Sequence, residues 1–346
     1  MTVTAPGSTI RALIVDDTPT NGGPLTLVLQ RDSDITVIGQ TSTGSAAVEL
    51  VARESPDVVI LNLHRGDGHG QHFIEQVMAR TPTPILVLSS KIEDRHSLSA
   101  VEALVAGALE ALPAPVRWTS VLETQLRHSV RQISKVQTIR HPRGALEKIS
   151  RSQPPPQGSQ PVVALAASTG GPKALATVLS GLGGLSAPVL VVQHLHPDFT
   201  SGLLDCLARA SALPVGIAKH GQIAEPGQVF LAPGGFHLRL STNLRLQLTT
   251  SPVTIHRPSA NELFRSLAEH TGSAGIGVLM TGMGDDGAEG LLDLHRRRGQ
   301  TFAQDEESCV VFGMPQAAKR LGAVTTLLPP DQLATAILRA ASAVRA

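Results

Sequence analysis

The chain of 346 residues has no tyrosine, a single tryptophan and only seven phenylalanines. With so few aromatics, its cores have to be assembled from Val, Leu, Ile and Ala. There are two cysteines, Cys206 and Cys309, and they form no motif. That argues against a disulfide-built scaffold and for packed thiols in a reducing compartment. Neither sign of charge dominates: 29 Lys and Arg face 28 Asp and Glu, for a net charge of +1 with His neutral. The only basic run is Arg296, Arg297 and Arg298, so nucleic acid is not the expected partner. No apolar stretch is long enough to cross a bilayer, and the first residues lack a basic region followed by an apolar core. A cytoplasmic protein with no membrane insertion is the expectation. The length exceeds one ordinary domain and suits two, each with its own core.

What is present is alternation. Short β-branched runs at 10–15, 35–39, 58–63 and 85–88 are separated by stretches of helical spacing at 45–53, 72–79 and 97–106. Strands alternating with helices predict a parallel sheet wrapped on both faces. Residues 118–139 carry Val121, Leu122, Leu126, Val130 and Ile133 at helical spacing. This helix can either pack on the first unit or extend from it. Residues 141–160 include SRSQPPPQGSQP and read as a linker. A second alternation follows, with strands expected at 162–167, 189–193, 229–231, 277–281 and 300–303. Its helices are expected around 173–182, 200–210, 259–271, 287–297 and 314–321.

The most telling segment is VALAASTGGP, residues 163–172. A buried strand there delivers Ser168 and Thr169 into two glycines and a proline that opens a helix. Such a turn presents a hydroxyl and lets backbone N–H groups face a developing negative charge. It also suits a plain strand-to-helix turn. The next strand ends in Gln193 and His194, and the strand GVLMT ends in the glycine-rich TGMGDDG. Ser, His and Asp therefore stand at three strand ends, the rim on which parallel sheets bind ligands. This is the set for acyl transfer: imidazole takes the hydroxyl proton and a carboxylate steadies the imidazolium, with no cofactor. The chain order Ser, His, Asp and the absence of G-x-S-x-G separate it from the common α/β-hydrolases.

Competing readings attach to the same residues. His194, His196 and Asp198 are metal-ligand types, but no further ligand group follows at a fitting spacing. Residues 282–287 have the glycine content of a phosphate loop without G-K-[ST]. Ser259, with Glu262 three residues on, reads as a helix cap, and Arg257 as a ligand contact.

AASTGGPKAL, VVQHLHPDFT, LAPGGFHL, IHRPSANELF, LMTGMGDDGAEGLL and TFAQDEESCVVFGMPQAA follow in this order across nearly all of 160–330. They resemble the motifs of the chemotaxis receptor protein-glutamate methylesterase (CheB) family. The resemblance implies hydrolysis of glutamate γ-methyl esters, with receptor glutamine deamidation as an associated activity. The implied partners are the cytoplasmic region of methylated chemoreceptors and the chemotaxis kinase complex. It makes Ser168 the nucleophile, His194 the base and Asp286 the orienting acid, while Asp285 stands where the family varies. It places the Met283 N–H near the oxyanion and Thr169 on the same site. Asn261 stands where the family usually has Asp.

The first unit resembles the receiver that precedes the esterase in this family. Asp16 and Asp17 match its magnesium-binding acidic pair, and SPDVVILNLHRGDGHG matches the segment carrying the phosphorylated aspartate. That position holds Asn62, and Ala114 stands where the family has lysine, while Ser89 keeps the switch hydroxyl. A carboxamide cannot form an acyl phosphate, so the receiver is expected to be degenerate. Asp57 begins the same strand and lies about 16 Å from the rim; Asp67 is in the loop beyond, where Gly66 replaces the family's proline. His64, His69 and His72 cluster nearby without a closed ligand set. The fold implied is α/β, with an N-terminal flavodoxin-like receiver sheet and a C-terminal doubly wound parallel methylesterase domain. The expected divisions are 9–117, receiver-like; 118–160, helix and linker; and 161–346, catalytic. A second class of function stays open, a non-catalytic pseudo-receiver and pseudo-esterase acting as a regulatory binding module.

Overall fold

Strand runs such as Val58–Leu63 and Val162–Ala167 are buried at every position, as expected of strands covered on both faces. The computed structural model describes residues 9–16, 22–42, 44–63, 69–90, 94–136 and 160–345. The chain divides into two units, residues 1–140 and 141–346. The linker expected at 141–160 falls, except for its last residue, outside the described residues, as do Asp17, His64, Gly66 and Asp67.

The first unit runs β1 (Ile10–Asp16), α1 (Gly22–Leu29), β2 (Ile35–Ser42), α2 (Ser45–Glu54), β3 (Val58–Leu63), α3 (His69–Arg80), β4 (Ile85–Ser90), α4 (Asp94–Ala106), β5 (Glu110–Ala114) and α5 (Ser120–Ile133). The five strands are parallel in the order β2-β1-β3-β4-β5. This is the flavodoxin-like order, whose switch point lies between β1 and β3. Asp16 and Asn62 sit side by side there, at the carboxyl ends of the two strands. Asp57 is at the opposite end, accepting from the Arg11 N–H at 2.7 Å.

Helix α5 settles the choice between packing and extension: it packs on α1, β4 and β5. The first unit therefore reaches past the boundary expected at 117. Thr119 caps the helix, and Leu126, Val130 and Ile133 are buried at helical spacing. Arg127 is buried with them at 7 % exposure, so its charge needs partners. It finds the Asp32 carboxylate at 2.9 Å and the Val28 carbonyl at 3.0 Å. Arg131 adds Asp34 at 2.6 Å. Hydrogen bonds from Arg131 hold the Asp32 and Asp34 carboxyls below their ordinary range, against a smaller opposing effect of desolvation.

The second unit begins with β6 (Val162–Ala167), α6 (Gly171–Ser180), β7 (Val189–Gln193), α7 (Thr200–Ala210), β8 (Val215–Ile217) and β9 (Val229–Leu231). An antiparallel hairpin follows, β10 (His237–Ser241) with β11 (Arg245–Thr249). The rest is α8 (Ala260–Thr271), β12 (Gly275–Leu279), α9 (Ala288–Arg296), β13 (Gln300–Gln304), α10 (Met314–Arg320), β14 (Thr326–Leu328) and α11 (Pro330–Arg345). The seven-stranded sheet is parallel throughout, in the order β14-β13-β12-β6-β7-β9-β8. From β6 the chain builds outward through β7, then returns to β12 and builds the other way. The direction reverses between β6 and β12, which opens a crevice at their carboxyl ends.

Two groups of helices cover this sheet: α6 adjoins α7 and α11, and α9 adjoins α8 and α10. The core joining sheet, hairpin and α8 includes Phe230, Leu238, Leu240, Leu246, Phe264 and Leu267. The pieces not expected from the sequence are short or of mixed pattern. Strands β8 and β14 have three residues each, too few for an alternation to register. Helix α11 is different, since Leu333, Ile337, Ala341 and Val344 form a regular buried stripe.

Candidate active site

Three neighbouring strands, β7, β6 and β12, carry the site. Ser168 follows β6 directly, and its N–H donates to the Thr281 carbonyl at 2.9 Å. The Gly171 N–H donates to the Ser168 carbonyl at 2.8 Å and closes the turn into α6. Gly170 caps that helix in the left-handed region, φ 77, a conformation glycine adopts without strain. The β12 loop comes very close: a Cβ on Gly282 would stand 2.7 Å from the Ser168 Cβ.

His194 follows β7 with its side chain only 7 % exposed. Gln193 ties it to the Ser168 turn, donating from Nε2 to the carbonyls of Ser168 and His194, both at 2.8 Å. His194 Nε2 meets Asp286 Oδ2 at 2.8 Å. Its Nδ1 is buried and has no hydrogen-bond partner among the described residues. With Nε2 on Asp286, Nδ1 is the ring nitrogen left open to a further proton donor or acceptor.

Asp286 lies at the N-terminus of α8. Oδ2 accepts from the Ala260 N–H at 2.7 Å, and Oδ1 from the Asn261 N–H at 3.1 Å and the Ser259 hydroxyl at 2.8 Å. Burial alone pushes this carboxyl up. The hydrogen bond and charge of His194, with the Ala260 and Asn261 amides, outweigh it and hold the group well below the carboxylate range. The helix end favours the same ionised form.

Ser259 is the expected cap of α8, accepting from the Glu262 N–H at 3.5 Å. The reciprocal half of the capping box is not formed. The Ser259 N–H goes to His237 Nδ1 at 3.1 Å, and Glu262 pairs with Arg239 and Arg265. Asn261 turns toward α9, where Oδ1 accepts from the Gly290 N–H at 2.8 Å. A carboxamide oxygen serves there as a carboxylate would.

The remaining expected residues fall as follows. Met283 and Thr169 are half-buried beside the close contact of Gly282 with Ser168. The Met283 N–H makes none of the turn hydrogen bonds that hold this loop. The Arg257 Nε is buried without a partner among the described residues, and its carbonyl accepts from Gly235 at 3.2 Å. His196 faces Asp198, Nδ1 to Oδ2 at 3.5 Å. No group of three or more His, Cys, Asp or Glu able to hold a metal occurs among the described residues. Of the histidines near the receiver rim, His72 meets Gln76 at 2.7 Å.

Sequence reasoning missed two contributors. Thr281 is buried at the end of the strand, and its Oγ1 donates to the Thr169 carbonyl at 2.9 Å. The same oxygen accepts from Val310 and Val311 at 3.1 and 3.0 Å, while the Thr281 N–H reaches Gln304. The second is His256, whose ring lies parallel to His194, centroids 4.2 Å apart and planes 7° apart. Its sequence signal was its place in the IHRPSANELF motif, one residue before Arg257.

In the first unit, Asn62 Nδ2 lies 3.4 Å from Asp16 Oδ2, both residues being buried. An amide stands beside Asp16 at the position where the resemblance expects an aspartate. A carboxamide oxygen can approach magnesium, but it brings one negative charge fewer to this rim than a carboxylate would.

Residues 163–337 match the family model of the CheB methylesterase, and residues 12–127 that of the response regulator receiver domain. A protein-glutamate methylesterase/protein-glutamine glutaminase of Anaeromyxobacter dehalogenans is 40 % identical over 338 residues, covering 94 % of this chain and 97 % of the relative. One from Methanospirillum hungatei is 36 % identical over 337 residues, covering 94 % and 96 %. The crystal structure of the Thermotoga maritima CheB methylesterase catalytic domain is 35 % identical with a TM-score of 0.51, covering 52 % of this chain and 98 % of that one. A serine-bearing turn, a histidine and a helix-held aspartate at adjoining strand ends, with this similarity along nearly the whole chain, place the protein in the CheB methylesterase family, with a receiver domain ahead of its catalytic domain.

Proposed function

We propose that the protein hydrolyses glutamate γ-methyl esters on chemoreceptors by a Ser-His-Asp mechanism. The observation that carries this reading is the His194–Asp286 pair on the rim beside Ser168, with Nδ1 of the histidine left open. Ser168 Oγ attacks the ester carbonyl while its proton passes to His194 Nδ1. The Nε2–H stays bonded to ionised Asp286, which stabilises the imidazolium. In this reading the Met283 N–H donates to the oxyanion, an interaction that in comparable sites is worth about 2.7–4 kcal/mol. Collapse expels methanol with the proton from His194 and leaves a glutamyl ester on Ser168. Water activated by the same nitrogen then releases the free glutamate. A glutamine side chain follows the same course with ammonia as leaving group.

The cytoplasmic region of a methylated receptor, and with it the chemotaxis kinase complex, is the partner this reading implies. A cytoplasmic location suits it, and among the described residues no helix is long and apolar enough to cross a membrane. We further infer that the receiver is not phosphorylated. The acceptor position is Asn62, and Ala114 supplies no cation for a phosphoryl group.

The test is release of methanol from a methylated receptor by the intact chain and by Ser168→Ala. The wild type is expected to release it and the variant to lose the activity. No release by the wild type would move the protein to the binding-module class.

A further inference from the structure

We propose that His256 is a positioning residue for the catalytic base: its imidazole, stacked on His194, fixes that ring and stabilises the imidazolium formed as Ser168 loses its proton. This rests on the esterase reading. One in-plane hydrogen bond, from Nε2 to Asp286, leaves the His194 ring able to pivot about that bond. A parallel ring 4.2 Å away removes the freedom and keeps Nδ1 directed at the nucleophile.

The segment bearing His256 is itself pinned. The Thr254 hydroxyl donates to the His256 carbonyl at 2.6 Å, and the Gly235 N–H donates to the Arg257 carbonyl at 3.2 Å. The ring is thus held on the rim by the loop before α8, while His194 is held by the sheet and by Asp286.

The stack helps only while His256 is neutral. A neutral π face attracts an adjacent imidazolium, whereas a second cation repels it. Partial desolvation and the His194 charge lower the His256 pKa, with Asp286 and Asp285 opposing them. Those groups face it from the residue after β7 and from the loop after β12. These effects favour the neutral form of His256 beside the His194 ring.

Three variants of the full chain test this, with methanol release and the rate of Ser168 labelling by a fluorophosphonate as readouts. His256→Ala should lower kcat about tenfold with KM within twofold, and slow labelling by a similar factor. His256→Phe, a planar ring that cannot titrate, should recover both rates to within about threefold of wild type. His256→Lys places a fixed cation beside His194. It should lower the base pKa, move the acid limb of kcat/KM to lower pH, and reduce the neutral-pH rate below that of the alanine variant. The proposal is overturned if alanine is as fast as wild type, if phenylalanine is as slow as alanine, or if lysine leaves the acid limb in place. A wild-type chain whose Ser168 does not label overturns the esterase reading and this one together. Normal labelling unaffected by alanine overturns this one alone.

Discussion

His194 meets Asp286 through Nε2, with the two atoms 2.8 Å apart, so in the proposed mechanism Nδ1 is the nitrogen that exchanges the proton with Ser168. Asp286→Asn should therefore lower kcat by roughly 10²–10⁴ with little change in KM, as triad acids do elsewhere. The same variant reports on stability. Because the Asp286 pKa is lowered in the folded protein, its ionised form favours folding above the unfolded value near 3.8. That contribution is lost as pH falls through the folded value. The thermal midpoint of Asp286→Asn should lie below wild type at neutral pH, and the gap should narrow on acidification.

Gly282 leaves no room for a side chain against Ser168. Its added Cβ would lie 2.7 Å from the Ser168 Cβ and 3.2 Å from its backbone nitrogen. Gly282→Ala is expected to displace the nucleophile by a fraction of an ångström and cost about 10²-fold in kcat. A fluorophosphonate labelling rate checks it, and an unchanged rate would show that the two turns separate freely.

Thr281 holds the nucleophile turn and the loop at 310–311 through one hydroxyl. Thr281→Val keeps the shape but leaves the Val310 and Val311 amides and the Thr169 carbonyl without it. Leaving such groups unpaired costs roughly 1–3 kcal/mol each, and partial relaxation should hold the loss to about 2–4 kcal/mol. Urea unfolding of the second unit's transition measures this.

Arg127 anchors α5 to the Val28 carbonyl and to Asp32. Arg127→Met should raise amide hydrogen exchange across residues 120–133 while leaving the second unit's protection unchanged. Equal exchange in both proteins would mean that Leu126, Val130 and Ile133 hold the helix alone.

Small phosphodonors should leave no hydroxylamine-sensitive phosphate on the chain and should not change methanol release. Intact-mass measurement after incubation with acetyl phosphate decides this. An adduct on the first unit would sink the inference drawn from Asn62 and Ala114.

Much of the site was legible because its residues end strands. Ser168, His194 and Asp286 each follow an apolar run directly or within one glycine-rich loop, and each belongs to a short motif. The parallel α/β architecture was legible for the same reason, since buried strands such as Val162–Ala167 write their burial as an unbroken apolar run. Ser259 was legible as a cap only. Its donation to Asp286 links positions separated by 27 residues, and no local pattern encodes that. Helix α5 showed its apolar stripe, but its docking depends on Arg127 finding Asp32, 95 residues earlier.

By itself, the amino-acid order determined most of the buried parallel strands, which hydroxyl, imidazole and carboxylate follow them, and that Asn62 stands where the resemblance expects the acceptor. The tertiary structure alone decided that β7, β6 and β12 are neighbours and that Nε2, not Nδ1, faces Asp286. It also decided that His256 lies flat against His194 and that Gly282 meets Ser168 without space for a methyl group. Local pattern records burial and turn chemistry, which act within a few residues. Partner choice is set by strand order and by which polar groups meet once the sheet has closed around its crevice.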